Sequence, residues 1–183
     1  TFGDDEGSVA TARRALEEAA RAGDEATMGK AGMVLACESY ILGRALEGIA
    51  HGRQAVVLLE RAGERWWLAM AYRWLTQNLL HVGEFTTALS TAEQMCALGE
   101  SLGDRSVEAT GEHSLCRVNA VFGNYARAIE VGRHAVETAS EPVGHAYSLG
   151  HLGTAYVEAG DATQAIATIE ESLAQLKRLS AGG

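Results

Sequence analysis

Four glycines, Gly43, Gly83, Gly123 and Gly160, each separate two stretches of helical apolar spacing, and they stand 40, 40 and 37 residues apart. A fixed period of this size restricts a chain to a tandem array, because one unit alone cannot bury its apolar face and must stack on the next. One further step back along the period reaches Gly3, and one residue before the turns stand Phe2, Leu42, Val82, Phe122 and Ala159. Eight residues before the last four glycines come Leu35, Leu75, Leu115 and Leu152, each followed by a small residue: Ala36, Thr76, Cys116 and Gly153. Six residues after the turns come Val9, Ile49, Leu89, Ile129 and Ile166, each preceded by a small one: Ser8, Gly48, Ala88, Ala128 and Ala165. Twelve after come Ala15, Ala55, Met95, Ala135 and Ser172. Large and small side chains alternating at fixed offsets suit closely packed helices, where a small residue opens the groove that a neighbour's ridge enters. A generic amphipathic bundle has the helical period but no such register from unit to unit.

The chain of 183 residues contains a single proline, against an average usage of about 5%. Helix throughout is the consequence, since proline breaks helices and decorates strand-and-turn folds. The columns predict about nine helices, near 7–22, 25–42, 44–62, 65–82, 85–102, 104–122, 125–139, 142–159 and 161–179. Asp104 stands where it caps the helix that follows, and Pro142 falls in a first turn, where its missing N–H costs nothing. The expected organisation is a single repeat domain over 1–183: a leading half-repeat at 1–24, then repeats at about 25–63, 64–103, 104–140 and 141–183. Because Phe2 and Gly3 align with the close of a helix whose body is absent, a fragment of a larger protein is expected. Its first helix would then expose the face a preceding helix should cover, which predicts self-association there.

The last unit carries Leu149, Leu152, Gly153, Tyr156, Gly160, Asp161, Ala165, Ile169 and Ser172. This resembles the tetratricopeptide repeat (TPR) signature, in which the first helix of each pair, helix A, has a large-x2-Leu-Gly-x2-Tyr pattern and helix B has spaced small positions. The other units place Ser39, Leu79 and Asn119 where the last has Tyr156. The period near 40 and the link Leu102, Gly103, Asp104, Arg105 are similar to the long variant in kinesin light chains, spindle-orientation adaptors and maltotriose-sensing bacterial transcription activators. The resemblance spans essentially the whole chain and implies an all-α, right-handed α-solenoid of antiparallel helix pairs, with the A helices lining a concave groove that receives a peptide or partner helix.

Neither catalysis nor metal binding finds a constellation. Cys37, Cys96 and Cys116 lie in apolar helical pattern, which suits buried small hydrophobes and excludes a zinc spacing or a full disulfide framework. No pair among His51, His81, His113, His134, His145 and His151 has the i, i+4 spacing around a Glu that a helical zinc site uses. Cys116 lies three residues from His113 but occupies a packing column. Gly144, Gly150 and Gly153 lie inside a helical pattern, where they suit close helix approach and not a phosphate loop. No cofactor and no enzyme activity is expected. A net charge of −9 argues against direct nucleic-acid binding, and no apolar run approaches the ~18 residues of a membrane span. A soluble, cytoplasmic protein is the expectation.

Helical periodicity places the positions thirteen, ten, six and three before each turn glycine on one stripe of helix A. That stripe includes Lys30, Met33, Tyr40, Arg73, Gln77, His113, Arg117 and Tyr147, and in full it holds three Lys or Arg and no acid, against the acidic balance of the chain. It points to a groove for an acidic or carboxylate-bearing segment, with Arg73, Gln77, His113 and Arg117 as polar contacts and Met33, Tyr40 and Tyr147 as apolar ones. Trp66, Trp67 and Trp74 form the one aromatic concentration, suited either to the core or to anchoring a partner. Two function classes follow: a protein-interaction module, or the small-ligand-sensing regulatory domain of a multidomain signalling ATPase or transcription activator.

Overall fold

The computed structural model describes residues 5–181; Phe2 and Gly3, which extend the register backwards, lie outside them. The described residues form nine α-helices and no strand: α1 (Asp5–Ala22), α2 (Glu25–Ile41), α3 (Ala45–Ala62), α4 (Arg65–His81), α5 (Phe85–Leu102), α6 (Arg105–Val121), α7 (Tyr125–Thr138), α8 (Pro142–Glu158) and α9 (Ala162–Ala181). The bounds agree with the periodicity to within two residues. Among these helices none is long and apolar enough to cross a membrane.

The turns explain the agreement. Gly43, Gly83, Gly123 and Gly160 all adopt left-handed φ values, between 69° and 83°. A second set, Gly23, Gly63 and Gly103, is also left-handed, with φ between 62° and 70°, at the links between repeats. After each of the seven, the next residue's N–H reaches back five residues to a carbonyl of the closing helix, as in Asp24 to Ala19 (3.0 Å), Glu64 to Leu59 (3.0 Å) and Asn124 to Asn119 (2.8 Å). That closure satisfies carbonyls a helix end would orphan, and it needs the αL conformation glycine adopts freely. Asp24, Asp104 and Asp161 then cap α2, α6 and α9, accepting from the backbone N–H of Thr27, Val107 and Gln164 at 3.0, 3.2 and 3.1 Å.

The link between α7 and α8 has no such glycine. Ala139 and Glu141 are extended there, the latter at φ −98° and ψ 135°, and Pro142 opens α8. Proline excludes the α conformation from the residue before it, so it breaks the chain direction without a left-handed turn. The helix α7 has 14 residues where α3 has 18, and this link is one residue longer than that between α3 and α4. Together these changes contract the period from 40 to 37.

The chain divides into two compact units, Thr1–Thr91 and Ala92–Gly183. In the first, α1 packs on α2, α2 on α3, α3 on α4, and α2 also on α4. In the second, α6 packs on α7, α7 on α8, α8 on α9, and α6 on α8. Each unit therefore repeats one scheme: a helix packs on its successor, and each A helix also packs on the next A helix. Small residues, within those columns and beside them, sit at these crossings. A Cβ on Gly32 would lie 3.4 Å from that of Ala55; one on Gly52 would lie 3.1 Å from Leu75; one on Gly153 would lie 2.5 Å from Ile169. Of the glycines of α8, Gly153 and Gly150 thus meet α9, Gly150 through Ser172, whereas Gly144 meets no neighbouring helix and differs from the expectation.

Candidate partner-binding surface

In the first unit the A helices are α2 and α4. Lys30, half-buried, forms an ion pair with Glu64 at 2.7 Å and lies 5.6 Å above the ring of Trp67. Trp67 in turn meets Trp66 edge to face, with ring centroids 5.0 Å apart, and Trp66 is 49% exposed. Half a helix further on, Arg73 lies 5.1 Å over the ring of Trp74, which packs against Tyr40 at 5.7 Å; Tyr40 is also stacked on His81 at 4.7 Å. The surface alternates cations with aromatic faces, whose ring electrons attract a cation and hold it in place. Trp67 and Trp74, each half-buried with a cation over its ring, are thus neither fully core nor free, whereas Trp66 is exposed. Met33 and Gln77 do not join that surface, since both are buried.

In the second unit the A helices are α6 and α8. Arg117 is half-buried and Tyr147 is 48% exposed. His113 is buried; its Nε2 lies 2.5 Å from Ser148 Oγ and its ring stacks on that of His151 at 5.3 Å. Ser148 Oγ lies 3.0 Å from the carbonyls of both Ala135 and Gly144, between which its single proton is shared, and in the Nε2–H tautomer His113 donates to the oxygen that remains. A serine as small as Ser148 lets α8 approach α6 closely enough to cover the imidazole. His113 therefore joins two A helices and does not project into solvent.

Burial governs the thiols. Cys116 is fully buried, donates to the carbonyl of His151 at 3.6 Å, and has its thiol pushed up to about 12 by loss of solvation. Cys96 is pushed to about 12 by burial and then by the carboxylates of Glu112, Glu100, Glu108 and Glu93, and Cys37 to about 11 by burial and then by Glu38. A nucleophilic cysteine needs the opposite shift. Among the described residues no group of three His, Cys, Asp or Glu side chains is placed to hold a metal ion.

Two features escaped sequence reasoning. Asn78 is fully buried and donates to the carbonyls of Ala36 (2.9 Å) and Trp74 (2.8 Å), tying α4 to α2, while its amide occupies the space above Gly48 of α3. The glycine at position 48 was legible as a small-column residue, but not the amide it admits. The second is a recess between α1 and α2, closed at one end by Trp67.

No protein-family model matches the sequence. No curated protein matches it in a sequence search either. Among solved structures, the nearly identical TPR-like repeats of a protein described as a kinesin light chain from Podospora anserina superpose with a TM-score of 0.69 at 18% identity, and a single-substitution variant of them with 0.71 at 18%. Both cover 96% of this chain and 88% of theirs. BtubC (BKLC) from P. vanneervenii superposes with a TM-score of 0.59 at 17% identity, over 97% of this chain and 93% of its own. At such identities the shared property is the fold, and the chain has the all-α fold of a TPR-like repeat protein.

Proposed function

We propose that the chain is a non-enzymatic interaction module that binds an acidic segment of a partner along its A helices. The observation that carries this reading is the cation-on-aromatic surface of α2 and α4, where Lys30 and Arg73 are seated on Trp67 and Trp74 beside Tyr40. Guanidinium groups recognise carboxylates bidentately, and aromatic rings beside them supply the apolar area that turns a charge contact into a binding anchor. Glu64 already pairs with Lys30, so an acidic segment would compete with that carboxylate for it. In the second unit the half-buried Arg117 of α6 and the exposed Tyr147 of α8 would supply that unit's own cation and ring to such a segment. Helical-repeat scaffolds present such helix faces as extended binding surfaces.

The test is a titration of the full chain with a fluorescent acidic peptide of alternating Glu and Leu, and with its Lys-for-Glu counterpart. Acidic-peptide affinity should fall about tenfold or more in Arg73→Glu combined with Arg117→Glu, and should weaken as salt is raised. Equal binding of both peptides, or an unchanged affinity in the double variant, would sink the assignment.

A further inference from the structure

The residue after each left-handed glycine between repeats is acidic: Asp24, Glu64 and Asp104. Two of the three serve the helix they open. Asp24 accepts from the N–H of Thr27 at 3.0 Å, and Asp104 from those of Ser106 and Val107 at 2.9 and 3.2 Å. Glu64 stands at the N-cap of α4 but makes no capping bond. Its carboxylate, one methylene further from the backbone, crosses instead to Lys30 of α2, 34 residues away, and accepts from Nζ at 2.7 Å. The carboxylate of Glu84, next after the turn glycine Gly83, likewise reaches a cation on another helix, Arg53 of α3, at 3.2 Å. The extra methylene of glutamate supplies that reach.

The cation that Glu64 meets belongs to the surface proposed above for an acidic segment. Lys30 lies 5.6 Å over the ring of Trp67 and Arg73 lies 5.1 Å over that of Trp74. Trp67 and Trp74 are seven residues apart on α4, which is about two turns or about 10 Å, so both rings stand on one side of the helix. The surface thus has two seats of one construction, a cation laid on an indole, and at the first of them the chain itself supplies a carboxylate. That contact is built to be exchanged. The Lys30 and Glu64 side chains remain 33% and 34% exposed, so water can replace each partner as the pair opens. Once released, Glu64 still sits at the N-terminus of α4, where negative charge is favoured. Two carboxylates on one ammonium repel each other, so a partner's carboxylate gains Lys30 as Glu64 leaves it.

We propose that Glu64 is a built-in competitor for the acidic-segment surface: it holds the Lys30 seat in the unbound chain, and a partner's carboxylate engages that seat by displacing it. This inference rests on the acidic-segment reading and adds to it a residue whose role is to lower affinity.

The test uses the full chain and the fluorescent Glu and Leu peptide. Glu64→Gln should tighten binding about threefold or more, the range that a part-exposed ion pair allows. Glu64→Asp keeps the charge and places a shorter carboxylate where Asp24 and Asp104 cap, and it should tighten binding in the same direction. Glu47→Gln, which removes the same charge from an exposed position of α3, should change affinity by less than about twofold, because salt screens a distant surface charge. In a Lys30→Met background the effect of Glu64→Gln should vanish. Unchanged or weaker binding in both Glu64 variants, an equal gain in Glu47→Gln, or a gain that persists without Lys30 would overturn the proposal. Those outcomes leave the acidic-segment reading standing if Arg73→Glu combined with Arg117→Glu still weakens binding. If that double variant binds as the parent does, the reading has failed and the competitor role fails with it.

Discussion

Gly48 and Asn78 form the tightest contact between a missing side chain and a buried polar one in the first unit. A Cβ at position 48 would fall on the Asn78 amide, which cannot retreat without breaking its bonds to the Ala36 and Trp74 carbonyls. Gly48→Ala should therefore destabilise by about 1 to 3 kcal/mol despite its better helix propensity, read as a lowered urea midpoint. The cysteines make a prediction of the opposite kind, about solvent conditions. An unfolded thiol loses its proton at about 8.5, whereas burial keeps Cys96 and Cys116 protonated to about 12 and Cys37 to about 11. Above pH ~9 the unfolded chain therefore binds fewer protons than the folded one, and stability, full below that pH, falls as pH rises towards 12. Urea midpoints at pH 8 and 10.5 should differ in that direction, with Cys116 slow to react with maleimide at pH 7.5. A midpoint that rises with pH would contradict the burial argument.

Helix ends carry the next level of control. Among the described residues, seven of the eight links use a left-handed glycine, and Gly63→Ala should cost roughly 1 kcal/mol because its φ of 70° strains any Cβ. The eighth link differs: Glu141 has the extended backbone of an N-cap, but its side chain makes no capping bond. Glu141→Ser would supply an acceptor for the first turn of α8 and should stabilise the chain by about 0.5 to 1 kcal/mol. Asp104→Ala, which removes a cap from α6, should destabilise it by about as much. Thermal melts of the three variants test whether the ends are controlled as described. The exposed apolar residues at the turns belong to this scale as well. Leu42, Val82 and Phe122, each one residue before a turn glycine, are at least 37% exposed, because the reversing chain carries them past the helix–helix contact.

Across the molecule, stability follows how much large apolar surface each helix commits to its neighbours. Among its described side chains α1 buries only Ala12 and Ala19, whereas α3 buries Ile49, Leu58 and Leu59 besides its small residues. At about 1.5 to 3 kcal/mol per buried large side chain, α1 is held by far less, and its amides should exchange at least tenfold faster than those of α3. Hydrogen exchange with peptide-level resolution tests this directly. Ile166, 59% exposed where its register mate Ile49 is buried, shows the same rule in the second unit: no described helix follows α9 to cover that face. Such differences mark the limit of what could be read from residues. The helices, their ends and their register were legible in the chain, because helical periodicity, aspartate caps and left-handed glycines act within a few residues. Gly43 and Pro142 alone announce two different ways of turning. Which stripe residues reach solvent depends instead on packing between helices. Met33 and Arg73 share one offset from their turn glycine, as do Gln77 and Arg117, yet in each pair one is buried and the other half-buried. Exposure at a repeated position depends on the size of the side chain that the adjacent helix brings to it, and Ser148 closing over His113 is a contact between residues 35 apart that no local pattern encodes.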